Sequence, residues 1–284
     1  MTVIPILLYH SISAEPEGWI APYAVTPTAF ARHVDQIATS GRTAMTVSEL
    51  CDALAGRTPL PELPIVITFD DGFADFAYAA KVLAARGLPS TLYVTTGALG
   101  GRCPRPPDMA IPPAAMLDWS QLAELTELGV EVGSHTHTHP QLDTMRNDAV
   151  ADEIRCSKGL LEDALGCEVP SFAYPHGFQS GRTRRVVASA GHRSACAVMN
   201  ALSSDGDDIY ALARLTVTAA TRPAGLAAWL SGRGARIAPF PERLRTTAWR
   251  LYRRARGPGS RRGVIAESVN RDVNGAISAP ETHQ

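Results

Sequence analysis

The sequence predicts an α/β fold in which βα units repeat around a largely parallel sheet. Three observations lead there. Short apolar runs alternate with stretches of helical periodicity, several runs are followed directly by such a stretch, and 284 residues that are 45% hydrophobic can fill a sizeable core.

In chain order, the strands expected from apolar runs are Ile4 to Tyr9, Ile65 to Phe69, Thr91 to Thr95, Val130 to Gly133, Ser171 to Tyr174, Arg193 to Val198 and Leu212 to Val217. Helical stretches are expected at about 28–40, 47–55, 74–86, 119–128, 146–165 and 180–190. In the fourth of these, Asp118 or Ser120 starts a helix whose apolar face is Leu122, Leu125 and Leu128. The insert "GALGGRCPRPPDMAIPPAAM" breaks the alternation, and its Gly and Pro content reads as a long loop over one face of the domain. No repeat or low-complexity tract precedes residue 232.

A formal net charge of -1 argues against a general nucleic-acid-binding surface. Five cysteines, odd in number and never in a C-x-x-C pair, read as reduced small apolar residues of a reducing compartment. The opening "MTVIPILLYHSI" has no basic start, and its apolar run stops at Tyr9 and His10, short of a signal-peptide core; no run of about 18 apolar residues follows anywhere. A cytoplasmic protein is the resulting expectation. From Arg243 to Arg262 the tail carries eight arginines and no acidic residue, interleaved with Leu244, Trp249, Leu251 and Tyr252. Such a stretch fits peripheral contact with an anionic membrane face, or a solvated helix or frayed tail. Residues 263–284 read as disordered. The expected division is a domain of residues 1–231 and a basic extension of residues 232–284.

Two stretches carry chemistry. In "PIVITFDDGFAD" the run Ile65 to Phe69 leads straight into Asp70 and Asp71, closed by Gly72. In βα folds the C-terminal ends of strands carry function, and successive residues of an extended segment point in different directions, so the two carboxylates can serve separate tasks. A nearby cation would remove the cost of ionising both. The alternative is a helix start in which the first Asp is a cap. In "GVEVGSHTHTHP" another short strand leads into His135, His137 and His139. The i, i+4 spacing lets His135 and His139 reach a single metal ion while His137 points elsewhere. It is not the zinc-protease helix, since Thr136 stands where a Glu would and Pro140 argues against a continuing helix. One carboxylate and two imidazoles suit zinc or another divalent first-row ion and would also hold iron for oxygen chemistry; the spare carboxylate beside the ligand tilts the choice to hydrolysis.

These stretches also carry a resemblance. "TFDDG" (Thr68 to Gly72), "SHTHTHP" (Ser134 to Pro140) and "SFAYPHG" (Ser171 to Gly177) resemble, in order, the first three motifs of the polysaccharide deacetylase family, the NodB-homology domains of carbohydrate esterase family 4. The third is similar to the branch written F-A-Y-P-Y-G, and "ILLYHSI" and "LDWSQLAELTELGVEVGSHT" fit the same branch, so the resemblance spans about residues 3–220. It implies a distorted, incomplete (β/α) barrel related to the TIM barrel, here followed by a basic C-terminal tail. It implies a hydrolase of linear amides that removes N-acetyl groups from an amino sugar or polysaccharide. Asp71, His135 and His139 would hold a divalent metal, Zn2+ before Co2+ or Ni2+. Asp70 would be the general base, and the backbone N–H of His176 an oxyanion donor.

This chain departs from the family at three positions. The Arg that many members place three residues before the third-motif tyrosine is Ala173 here, as in the F-A-Y-P-Y-G branch, and the tyrosine itself is His176. The segment "YALARLTV" lacks the L-x-H histidine that protonates the leaving amine. Candidates for that proton are His10 and then His176, with His137 behind them; His192 is expected at the opposite end of the barrel. Trp119, Tyr174 and Pro175 are expected to line the substrate groove, with core packing equally open for Trp119 and Tyr174. Deformylation of a formamido sugar, opening of a cyclic amide, and a non-catalytic carbohydrate-binding role are the alternative functions.

Overall fold

The computed structural model describes residues 1–102, 104–240, 249, 252 and 253. The chain forms two compact units, Met1–Pro241 and Glu242–Gln284. The basic stretch from Arg243 to Arg262, apart from Trp249, Tyr252 and Arg253, and residues 263–284 lie outside the described residues, and so do the expectations made for them.

In the first unit the elements run β1 (Val3–Ile4), β2 (Ile6–Tyr9), α1 (Pro27–Ala38), β3 (Thr43–Met45), α2 (Val47–Leu54), β4 (Pro64–Phe69), α3 (Phe76–Ala84) and β5 (Ser90–Val94). They continue with α4 (Gln121–Glu127), β6 (Val130–Ser134), α5 (Asn147–Leu165), β7 (Ser171–Ala173), α6 (Gly181–Ser189), β8 (Ser194–Cys196), β9 (Ser203–Ser204), β10 (Leu215–Thr216) and α7 (Pro223–Leu230). The main sheet has the order β10-β2-β4-β5-β6-β7-β8, with β3 against the first half of β4. Every ladder in it is parallel. Helices pack on its outside, as a parallel sheet requires. The strands are buried along their length: all residues of β2, β4 and β5 are inaccessible or nearly so. This is the incomplete (β/α) barrel expected from the resemblance.

Local chemistry explains the helix boundaries. Thr26 caps α1, its side chain accepting the Ala29 N–H, with Pro27 in the first turn; Thr46 and Glu49 form a capping box on α2; Ser180 and Thr183 form one on α6. Gly166, at φ +67, ends α5 in the left-handed conformation. The face of α1 that meets the sheet is Phe30, His33, Val34 and Ile37, and that of α5 is Val150, Ile154, Ser157 and Leu161.

The structure differs from the sequence reading in several places. The run Ile4 to Tyr9 is two strands, because Pro5 has no N–H to donate; β1 turns away to pair antiparallel with β9. β3, β9 and α7 were not expected; the apolar α7 segment, PAGLAAWL, shows no polar face to betray a helix. Residues 232–240, which the sequence reading placed in the extension, run along Leu202: Leu202 N–H donates to Arg236 O and Ala238 N–H to Leu202 O, each at 2.8 Å. One segment bridges the two edges of the incomplete barrel. Residues 209–212 bond to β8 through Ala195 N–H to Ile209 O, Leu212 N–H to Ala195 O and Ala197 N–H to Leu212 O. Three residues later the same segment becomes β10 and pairs with β2.

The long loop after β5 is pinned at both sides of the barrel mouth. Thr96 and Gly97 N–H groups donate to the carbonyls of Thr136 and His137, and Ala110 N–H donates to Thr138 O. At its other end Leu117 N–H donates to Gly72 O, and Ala115 O accepts from Ala74 N–H. No helix among the described residues is long and apolar enough to cross a membrane.

Candidate metal centre and active site

β4 delivers the two carboxylates. Its ladder to β2 persists to Asp70, whose N–H donates to Tyr9 O at 3.1 Å; then Asp71 and Gly72 turn left-handed, with φ +77 and +90. Asp tolerates this region at modest cost and Gly at none, and the turn sends the two carboxylates to different partners. Asp71 faces the histidines: its Oδ1 lies 3.3 Å from His139 Nε2 and 3.6 Å from His135 Nε2. One ligand atom each from Asp71, His135 and His139 lies within 4.8 Å of the other two, and all three residues are buried.

This donor set fits a divalent cation. Asp71 Oδ1 is sealed from solvent and no donor is aligned on it, although His139 is close. A buried carboxylate oxygen in that state is costly unless a cation meets it. The ring of His135 is oriented by its other nitrogen, Nδ1, which contacts Ala173 O at 2.8 Å; that leaves Nε2 directed to Asp71 as a neutral donor. Burial pushes the His135 imidazole down to about 4 despite the pull of Asp70, so it is uncharged near neutral pH. For Asp71 burial acts to raise the carboxyl, and the surrounding histidines, His139 foremost, outweigh it and hold it well below the usual carboxylate range. Two imidazoles and a carboxylate, the set brought together among the described residues, match the open ligand sets of catalytic zinc.

Asp70 has a different partner. Arg214, fully buried, donates from Nη1 to Asp70 Oδ1 at 2.7 Å and from Nη2 to Oδ2 at 2.8 Å. It also donates to Thr68 Oγ1 and, from Nε, to Ala197 O, so each of its three nitrogens donates. Burial alone would raise the Asp70 carboxyl; Arg214 and then His135 reverse this and lower it. Arg214 was missed in the sequence reading, which noted the absent arginine at Ala173 and the absent histidine in "YALARLTV" while passing over the arginine in that same segment. A guanidinium inside an apolar run that ends up as core is a signal for a buried anion.

The other expected residues divide. His10, at the end of β2, sits in the field of both carboxylates; burial lowers its imidazole, with Asp71 and Asp70 pulling against that. His176 is exposed, adopts φ +59, and its ring stands edge-on to that of His139 at 4.6 Å. His137 turns aside, Nδ1 meeting Thr96 Oγ1 at 2.9 Å. His192 lies before β8, at the far end of the barrel, against Phe172. The three residues expected along a groove, for two of which core packing was equally open, are buried. Trp119 is 8% exposed among apolar side chains with the Arg102 guanidinium over its ring, Tyr174 is inaccessible and donates its hydroxyl to Tyr210 O at 2.9 Å, and Pro175 is buried. Glu153, on α5, also escaped the sequence reading, and nothing in its local pattern marks it: its carboxylate accepts from the turn between His135 and His139.

Comparison with known proteins agrees with this architecture. Residues 57–195 match the family model described as polysaccharide deacetylase. YxkH of Bacillus subtilis (strain 168), provisionally named a polysaccharide deacetylase, is 24% identical over 216 residues, which are 76% of this chain and 71% of that one. The deacetylase PplD of Streptococcus pyogenes, solved in complex with acetate, superposes with a TM-score of 0.68 at 24% identity, covering 79% of this chain and 96% of that one. IcaB from Ammonifex degensii superposes with a TM-score of 0.65 at 24% identity, covering 81% and 97%. The structural likenesses speak for the fold, and the family match covers the strands that bear both motif stretches. Over residues 57–195 the chain is similar to the polysaccharide deacetylase family, and its fold is the one these deacetylases share.

Proposed function

We propose that this protein is a metal-dependent deacetylase that hydrolyses the N-acetyl amide of an amino sugar or polysaccharide. The observation that carries the proposal is the division of labour between adjacent carboxylates, Asp71 facing His135 and His139 while Asp70 is held by Arg214. Asp71, His135 and His139 would hold the ion, which supplies Lewis-acid polarisation and water of lowered pKa. Zinc suits this donor set, and cobalt or nickel would serve in its place.

The chain's own groups do the rest. Asp70 is the general base: the Arg214 fork keeps it ionised and fixes its plane, and it takes a proton from the attacking water. The backbone N–H of His176 donates to the oxyanion as the acetyl carbonyl becomes tetrahedral. His10 passes a proton to the departing nitrogen; its place beside both carboxylates supports that role, and His176 is the competing candidate. Acetate leaves and the sugar retains a free amine.

The test is acetate release from N-acetylglucosamine oligomers by metal-stripped protein re-supplied with Zn2+, Co2+ or Ni2+, beside Asp70→Asn. Metal-restored release that is lost in the variant is the expected result. Failure to release acetate while formate is freed from a formamido sugar would move the assignment to a different amide.

A further inference from the structure

Between the proposed ligands His135 and His139 the chain makes a tight turn with two non-glycine residues, Thr136 and His139, at φ +68 and +62. A β-branched residue resists that region, so the turn does not hold its shape unaided. Its backbone groups are taken up from two sides. The carbonyls of Thr136, His137 and Thr138 accept from the loop after β5, and within the turn His139 N–H donates to Thr136 Oγ1 at 3.0 Å. The N–H groups of His137 and Thr138 both donate to Glu153 Oε2 at 2.9 Å, and the Thr138 hydroxyl donates to Glu153 Oε1 at 2.7 Å.

Glu153 is delivered by a rigid element. Its helix neighbours Ile154 and Ser157 are fully buried, and Ser157 Oγ accepts from Ser134 Oγ at 2.9 Å on the residue just before His135. One carboxylate thus closes the turn that sets the spacing of two imidazoles, without touching either ring. We propose that Glu153 is a positioning residue that sets metal affinity by holding His135 and His139 in ligating register; this rests on the metal-centre reading above. Groups that orient metal ligands from outside the coordination sphere commonly change affinity by about 10–100-fold when removed.

The test uses the full chain, stripped of metal, with two readouts: Zn2+ affinity by competition with a chromogenic chelator, and the visible absorption of the Co2+ form. Glu153→Ala is expected to weaken Zn2+ binding by about 10–100-fold and to alter the Co2+ spectrum. Glu153→Gln is expected to recover most of the loss, because its amide oxygen can accept both N–H groups and its amide N–H can face Thr138 Oγ1. Thr138→Val, which removes one of the three bonds, is expected to weaken binding severalfold and decides the matter if the alanine variant does not fold. Wild-type affinity and spectrum in these variants, even with a lowered melting temperature, would overturn the assignment while leaving the metal centre intact. A wild-type chain that takes up no Zn2+ would overturn the metal centre and this assignment together.

Discussion

Arg214 grips Asp70 through two parallel hydrogen bonds, 2.7 and 2.8 Å, across 144 residues of sequence and with no solvent access to the guanidinium. A lysine there keeps the charge and loses the fork. If Asp70 is the general base, Arg214→Lys is therefore expected to lower kcat by about 10–100-fold with little change in KM. Arg214→Ala leaves Asp70 buried and unpaired, and loses about 3–5 kcal/mol of stability as well. Steady-state kinetics and denaturant melts on the two variants check this; a lysine variant of full activity would show that the fork is dispensable.

The two imidazoles beside the centre are separable. His10→Ala is expected to lower kcat by about 10²–10⁴-fold if His10 delivers the proton, whereas His176→Ala keeps its backbone N–H and loses much less. Turnover of an ester analogue, whose leaving oxygen needs less proton assistance than an amine, restores His10→Ala selectively. The reverse ranking would assign the proton to His176.

A third expectation concerns acid stability. His192 is buried at the far end of the barrel, and burial pushes its imidazole down to about 3 from an ordinary value near 6.5. Between those values the unfolded chain binds the proton and the folded chain does not, so stability rises with pH across the window and is fully present above it. Acidifying from pH 6.5 toward 3 therefore destabilises the fold progressively through this group. Replacing it, His192→Phe against the Phe172 ring, is expected to flatten that part of the urea-melt profile relative to wild type; an unchanged slope would mean that His192 is not the group responsible.

Gly177 supplies the fourth. It closes the third motif at φ +70, and a Cβ there would meet Val198 Cβ at 2.3 Å and its backbone nitrogen at 2.5 Å. Gly177→Ala is expected to lose about 1–3 kcal/mol and to displace His176, reducing turnover along with the melting temperature. A variant of wild-type stability would show that residues 174–178 can shift freely.

The legible parts of this protein are the local ones. Asp70, Asp71 and the histidine run announce themselves because charges and imidazoles at the ends of apolar strands have few ordinary explanations. The helices show in their periodicity, as α1 and α5 do with their buried stripes. What escaped depends on contacts between distant segments. Arg214 acquires its meaning from Asp70, and Glu153 from a turn 15 residues before it, neither of which a local pattern encodes. Tyr174 and Trp119 sit beside informative motifs, yet their rings turn into the core because large aromatic area is best buried there. Pro5 was visible in the sequence, and its effect in splitting the first strand follows from its missing N–H.

The bridging segment has a consequence for synthesis. Asp70, Asp71, His135 and His139 all belong to the first half of the chain, while the arginine that holds Asp70 rides on the segment that joins β8 to β2. A nascent chain that has left the ribosome only through β8 carries all three of the motif stretches found here, and its Asp70 still lacks its partner. Asp70 therefore meets its guanidinium only once β10 has entered the sheet beside β2.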